Sequence, residues 1–166
     1  MHSTLKAHRF ELFGGTVVVT VPPDPSHIKT VYQLRRVLER QAPTELAVLT
    51  EGWGVCLDEN TLFIPDLLVT RQSVLVDSWI KPKDALLAVE VVAKTHPSND
   101  FLLKRHIYAE IGIPEYWIVD AHGPGLTVLR PTDDSKGYQE VAFVRPGDRW
   151  ADETPFRLDL DPAEIF

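Results

Sequence analysis

Hydrophobic and polar positions divide the chain into short strands and two helices. Phe10 to Pro23, FELFGGTVVVTVPP, reads as a hairpin: Gly14 and Gly15 supply the turn and β-branched residues follow. Ile28, Val31, Leu34 and Val37–Leu38 then recur at helical spacing. They predict a helix from Ser26 to Gln41, with Ser26 as N-cap and Pro43 beyond its end. Three strands are expected next, near Glu45 to Leu57, Leu62 to Val69, and Ala85 to Ala93, with a turn at Asp58 to Asn60 between the first two. A second helix starts at Ser98 and carries Leu103, Ile107 and Ile111 on one face; Gly112 and Pro114 stop it. EYWIVD, from Glu115 to Asp120, is a further strand. Gly125 to Pro131 and Gly137 to Val144 predict a late hairpin with Asp133, Asp134 and Gly137 in its loop. The tail from Phe156 to Phe166 predicts one short strand and a helical turn.

The sum is a mixed α/β pattern: a central sheet, two main helices, and hairpins toward both ends. Residues 1–166 form a single domain on this reading, long enough to bury a sizeable core. Hydrophobic residues make up 44% and charged residues 25%, an ordinary globular balance. A formal net charge of −7 removes any global attraction to nucleic acid but leaves room for a local basic groove. Cys56 is the one cysteine, so no internal disulfide forms, and a reducing compartment is expected. MHSTLKAHRF lacks the apolar stretch of a secretory leader. The longest apolar run, Ala85 to Val89, is too short for a bilayer. The expectation is a soluble cytoplasmic protein. Several chemistries lack their residues: no Gly-rich phosphate loop ends in Lys-Ser/Thr, no Gly-x-Ser-x-Gly elbow occurs, and one cysteine with six scattered histidines builds no Cys-rich zinc site.

What remains is a set of misplaced carboxylates. Alternate residues of a strand share a face, so Leu86, Ala88, Glu90 and Val92 point one way, while Leu87, Val89 and Val91 point the other. Both sets are apolar except for Glu90, which predicts a central strand covered on both sides. An ionised carboxylate there is costly unless it is paired or metal-bound. An arginine partner or an open sheet end would also account for it. LFIPDLLV, Leu62 to Val69, hides a second carboxylate, Asp66. Pro65 before it cannot donate to a ladder and implies an edge or a bulge, or a turn that ends the strand. On the second helix Asp100, Lys104, Tyr108 and Gly112 lie four apart and form one stripe beside the apolar face. Lys104 can reach over the sheet edge from there; an exposed pair with Asp100 is the simpler alternative. For Tyr108 the alternative is a core tyrosine with a satisfied hydroxyl.

These stretches, in the order IPDLLV, LLAVEVV and NDFLLKRHIYAEIGIPEYWIVD, resemble the Uma-two family of endonucleases, within the restriction-endonuclease-like superfamily. Pro65–Asp66, Val89–Glu90–Val91, Asp100, Lys104, Tyr108 and Gly112 to Trp117 stand at the family's motif positions. FELFGG resembles its opening, with Glu11 in the acidic place, and PSHIKTVYQL its histidine-led first helix. The similarity spans nearly the whole chain. It implies a restriction-endonuclease-like fold and hydrolysis of phosphodiester bonds in nucleic acid, with DNA as the expected substrate.

Such chemistry suits Mg²⁺, a hard cation that takes oxygen ligands and keeps several waters; Mn²⁺ is a substitute. Asp66 and Glu90 are the expected ligand pair, with Glu11 as a third ligand or outer base. Lys104 is expected to stabilise the transition state or orient the water, and Tyr108 to orient Lys104 or touch a phosphate. The superfamily usually carries its lysine two residues after the strand acid, where this chain has Val92. Lys94 is four residues along, about 13 Å away on an extended strand. It also stands where relatives carry a small hydroxyl residue. For His27, capping or packing explains the position as well as function does. His96 is an expected bystander, and Trp117 an expected core residue. Lys29, Arg35, Arg36 and Arg40 form either a phosphate-facing strip or a solvated face balanced by Glu39 and Glu45. Exposed edge strands in the terminal hairpins leave room for a homodimer, and a nuclease fold turned into a catalytically inactive binding or regulatory module is the alternative to an enzyme.

Overall fold

In the computed structural model the described residues are 9–20, 22–50, 52–76, 79–92, 98–123, 125–134 and 136–166; for 98–101 only the backbone is described. The N-terminal hairpin forms as expected, from β1 (Arg9–Phe13) and β2 (Thr16–Thr20). Helix α1 spans Pro25–Gln41, and its N-cap is Asp24 rather than Ser26. The Asp24 carboxylate accepts from the Ser26 and His27 amides, and Pro25 occupies a first-turn position where a missing N–H does no harm. The inward stripe is His27, Thr30, Leu34, Val37 and Leu38; Ile28, expected in it, is 53% exposed.

Two expected strands each divide. Glu45 to Leu57 becomes β3 (Leu46–Thr50) and β4 (Gly54–Asp58). Between them Gly52 takes a φ of 88°, a left-handed backbone that side chains resist. Leu62 to Val69 becomes β5 (Thr61–Phe63) and β6 (Leu67–Arg71), broken at Ile64, Pro65 and Asp66. Strand β7 (Trp79–Ile80) has no counterpart in the sequence reading, and β8 (Ala85–Val92) is the long strand carrying Glu90. Helix α2 (Ser98–Glu110) leads to β9 (Tyr116–Asp120), followed by the expected hairpin of β10 (Gly125–Pro131) and β11 (Tyr138–Val144). Strands β12 (Trp150–Asp152) and β13 (Leu158–Leu160) and a 3-10 turn at Pro162–Glu164 close the chain.

Where the sequence predicts one central sheet with terminal hairpins, the strands among the described residues form a separate β12–β13 pair and two larger sheets. One has six strands in the order β11-β10-β9-β8-β6-β3; the other has five, in the order β2-β1-β5-β4-β7. The breaks at Gly52 and Pro65 are where the chain passes between them. In the larger sheet β8 pairs parallel with β9 through the α2 crossover, the connection a parallel pair requires. From Leu87 onward β8 alternates as expected. Leu87, Val89 and Val91 join Leu34, Val37 and Leu38 of α1 in one core, while Ala88 faces a second core with Phe63 of the smaller sheet and Tyr108 of α2. Glu90 follows Ala88 on that second face.

The inner face of α2 also differs from the sequence reading. Leu103 is 36% exposed, while Lys104, Ile107, Tyr108 and Ala109 are buried. The lysine stripe is thus the buried face itself and not its border. Gly112 ends the helix at φ 78°, with Gly112 N–H donating to Ala109 O and Ile113 N–H to Tyr108 O, a Schellman arrangement.

A partly buried ion network ties the C-terminal segment to the larger sheet. Trp117 Nε1 donates to Glu115 at 2.6 Å, Arg130 Nε reaches the other Glu115 oxygen at 3.3 Å, and Arg130 also pairs with Asp152. Burial pushes the Glu115 carboxyl up to about 7 from 4.5, against the pull of Trp117 and Arg130. The folded state therefore holds more protons than the unfolded chain between these values, and stability falls as pH rises through that window. At about 1.4 kcal/mol per unit the contribution is about 3 kcal/mol. Thermal melts from pH 4.5 to 7.5 should show a steeper loss for wild type than for Glu115→Gln; equal slopes would remove Glu115 as the source.

Candidate active site

The break at Ile64–Asp66 creates the site. Strand β6 begins only at Leu67, opposite Val89, so the ladder stops short of Val91. The Asp66 side chain takes over: its Oδ2 accepts the Val91 amide at 2.8 Å. The same oxygen lies 3.0 Å from His27 Nε2 on α1. Oδ1 is 2.7 Å from Arg9 Nη2 on β1, yet among the described residues no donor is aligned with it as a hydrogen bond. Burial alone would raise this carboxyl. His27, Arg9 and the Val91 amide outweigh burial and hold it well below the ordinary carboxylate range.

Glu90 meets the opposite treatment. Lys104 Nζ stands 3.1 Å from its Oε1, and the Tyr108 hydroxyl donates to the same oxygen at 3.0 Å. Burial nevertheless dominates and, with the charges of Asp66 and Glu11, pushes the Glu90 carboxyl up to about 8 despite Lys104 and Arg9. Two neighbouring carboxyl groups are thus set apart by their surroundings, Asp66 ionised and Glu90 proton-retaining near neutrality. Burial and the two nearby acids also raise the Tyr108 phenol well above its usual value, so it remains a donor. Phe63 and Tyr116 fix the Tyr108 ring by edge contacts, with centroids 5.8 and 5.2 Å away.

Glu11 completes the cluster. Its Oε1 is 3.0 Å from Lys104 Nζ and accepts the Ile64 amide at 2.8 Å. Glu11 and Arg9 are two apart on β1 and so share the face turned toward the site. Arg9 also donates to the Ile64 carbonyl at 3.1 Å, so this strand grips the crossover segment twice. Asp66, Glu90, Glu11 and Lys104 are each between 3 and 4% exposed.

All five expected site residues, Asp66, Glu90, Lys104, Tyr108 and Glu11, therefore lie in one buried network. Arg9 was missed, although its spacing from Glu11 was a legible signal. His27 had been left between capping, packing and function. Its ring is buried against Asp66, and its Nδ1 has no hydrogen-bond partner among the described residues. Trp117 is a core residue, as expected. Asp100 lies on α2 with its side chain outside those described, and Lys94 and His96 lie outside the described residues altogether. On α1, Arg35 pairs with Glu39 and Arg40 with Glu164, while Arg36 lies over the Tyr32 ring, which favours the solvated-face reading of that strip.

Whether a hard cation suits these residues can be judged from the donor set. Asp66 Oδ1 accepts no aligned hydrogen bond among the described residues but stands 2.7 Å from the Arg9 guanidinium, and the Oε1 of Glu90 on the adjoining strand already meets Lys104 and Tyr108. Among the described residues no group of three or more His, Cys, Asp or Glu side chains could hold a metal ion. A hard cation is commonly bound through one or two carboxylates plus waters and substrate phosphate, and Asp66 and Glu90 are the donors it would use here.

A solved structure described as "a putative nuclease belonging to DUF820", from Anabaena variabilis, superposes with a TM-score of 0.72 at 15% identity, covering 100% of this chain and 93% of that one. At that identity the likeness shows a shared fold. No curated protein is similar enough in sequence to match. Among the described residues, no helix is long and apolar enough to cross a membrane. The family profile described as "Putative restriction endonuclease" matches residues 4–163, nearly the whole chain, and the chain belongs to that family, Uma2.

Proposed function

We propose that this chain is an endonuclease that hydrolyses phosphodiester bonds in DNA with a divalent cation, Mg²⁺ or Mn²⁺ in its place, held by Asp66 and Glu90. The observation that carries the reading is the burial of these two carboxylates, with Lys104 paired to Glu90, in a chain of an endonuclease family. Such a cation, when bound, lowers the pKa of an attacking water and stabilises charge on the phosphoryl oxygens. The remaining work falls to the chain itself. Arg9, His27 and the Val91 amide keep Asp66 ionised and fix its orientation. Glu11 holds Lys104 at the edge of the cluster, where the ammonium group meets the growing negative charge of the transition state. Tyr108 keeps Glu90 and Lys104 aligned through its hydroxyl.

A second reading is a binding or regulatory module that retains the nuclease fold. Internal neutralisation favours it: Arg9 and His27 face Asp66, while Lys104 and Tyr108 face Glu90. Incubation with supercoiled plasmid, single-stranded DNA and RNA separates the two. The nuclease reading expects DNA cleavage with Mg²⁺ or Mn²⁺, none with a chelator, and none from Asp66→Ala or Glu90→Ala. Equal inertness of wild type and both variants with either ion would leave the binding module. Cleavage of RNA alone would reassign the substrate.

A further inference from the structure

Among the described residues strand β2 is the outer edge of the five-stranded sheet, and its own sequence lacks the usual protections against pairing. Thr16–Thr20 contains no charge and no proline, and its register with β1 runs unbroken from Thr16 to Thr20. Val17 is 59% exposed, Val18 37% and Val19 53%. These are β-branched residues of high strand propensity, facing water on both sides of the ribbon. Phe10, opposite Val19 in the β1–β2 pair, is itself 56% exposed and extends the same face.

The order of the residues identifies the occupant of this edge. TVVVT reads the same in both directions. An antiparallel two-fold axis through Val18 therefore sets Thr16 against Thr20, Val17 against Val19, and Val18 against itself, every apolar residue meeting another. A strand that is its own complement fits a second copy of this chain, because an isologous contact requires self-complementarity.

We propose that two copies join edge to edge through β2, antiparallel about an axis at Val18, merging their five-stranded sheets into one. The Phe10–Val19 pair of one copy then adjoins Val17 and Leu12 of the other, and the apolar face continues across the junction. The contact is short. A five-residue edge lies at the small end of stable interfaces, below about 1,200 Å² in total, so the dimer is reversible with concentration. Strand β1 is paired along its length with β2 and carries Arg9 and Glu11, so dimerisation braces the strand that holds Asp66 and Lys104. The proposal stands independently of whether the site cleaves DNA.

Sedimentation over increasing protein concentration tests it. Wild type should move from 18.8 kDa toward twice that mass. Val17→Lys/Val19→Lys and Val17→Glu/Val19→Glu should each remain monomeric, because like charges oppose across the axis. An equimolar mixture of the two should recover the dimer, which also shows that both variants are folded. A wild type that stays monomeric at every concentration, a double-lysine variant that dimerises like wild type, or a mixture that stays monomeric would each overturn the proposal.

Discussion

Asp66→Ala is expected to remove DNA cleavage and to destabilise the fold by about 3–5 kcal/mol, the usual result of stripping one partner from a buried ion pair. Three groups converge on this carboxylate: the Arg9 guanidinium, the His27 ring and the Val91 amide. Alanine leaves all three without their acceptor in a place water barely reaches. On the proposed function, the substitution also removes a cation ligand and with it several kcal/mol of charge stabilisation, roughly a thousandfold or more in rate. Asp66→Asn separates the two effects. Its carbonyl oxygen can still accept the Val91 amide, so denaturant melts should show most of the stability restored, while single-turnover cleavage stays lost. The pH dependence supplies a further check. A carboxyl held below its unfolded value of 3.8 contributes stability above that pH and loses it as pH falls through the folded value. The stability gap between wild type and Asp66→Asn should therefore close in acid. A gap that persists there, or Asp66→Asn cleaving at the wild-type rate, would contradict this account.

The sequence announced the site better than it announced the sheets that frame it. Glu90 stood out because an alternating apolar strand leaves a carboxylate nowhere to go, and Asp66 because a proline preceded it. Four-residue spacing put Lys104 and Tyr108 on one helical stripe, and the family resemblance made them site candidates. Division of the strands at Gly52 and Pro65 was not legible in the same way. Local pattern reports that a stretch is extended and apolar, but not which sheet it joins. Both sides of Pro65 are apolar because Phe63 before it packs in one core with Val55, while after it Leu67 and Val69 join Leu87 and Val89 in the other and Leu68 turns back to the first, a distinction made only by tertiary contacts.

Leu103 failed for a related reason. Hydrophobicity placed it inward, yet the buried stripe of α2 is led by Lys104, because the ion network offers the ammonium group two carboxylates. Arg9 shows the same effect from the other direction. A charged residue near the start of a chain draws little attention, and its importance emerges only when β1 is laid beside the crossover at Ile64. Polar residues buried by mutual satisfaction invert the rule that charge marks a surface, and this site is built from that inversion.

Lys104→Met is the sharpest probe of that inversion. Methionine keeps the length and helix propensity of the side chain and removes only its charge. Cleavage should fall about a hundredfold to a thousandfold, as when a single transition-state donor is deleted. Stability should fall as well, because Glu11 and Glu90 lose the cation lying 3.0 and 3.1 Å from them. The size of that loss depends on pH. Burial already raises Glu90 to about 8, and without Lys104 it rises further, so the folded state takes up a proton that the unfolded chain releases above 4.5. Up to about pH 8 Glu90 keeps its proton in both proteins, so its share of the gap stays level; above that pH wild type ionises beside Lys104 while the variant still holds the proton, and the gap widens toward about 3–5 kcal/mol. Adding Glu90→Gln to Lys104→Met should flatten the dependence and recover stability without recovering cleavage. Denaturant midpoints measured across pH for the four proteins of this cycle decide the matter. A Lys104→Met penalty that does not grow above about pH 8 would mean that Lys104 acts through packing, and that its charge does not govern the two carboxylates.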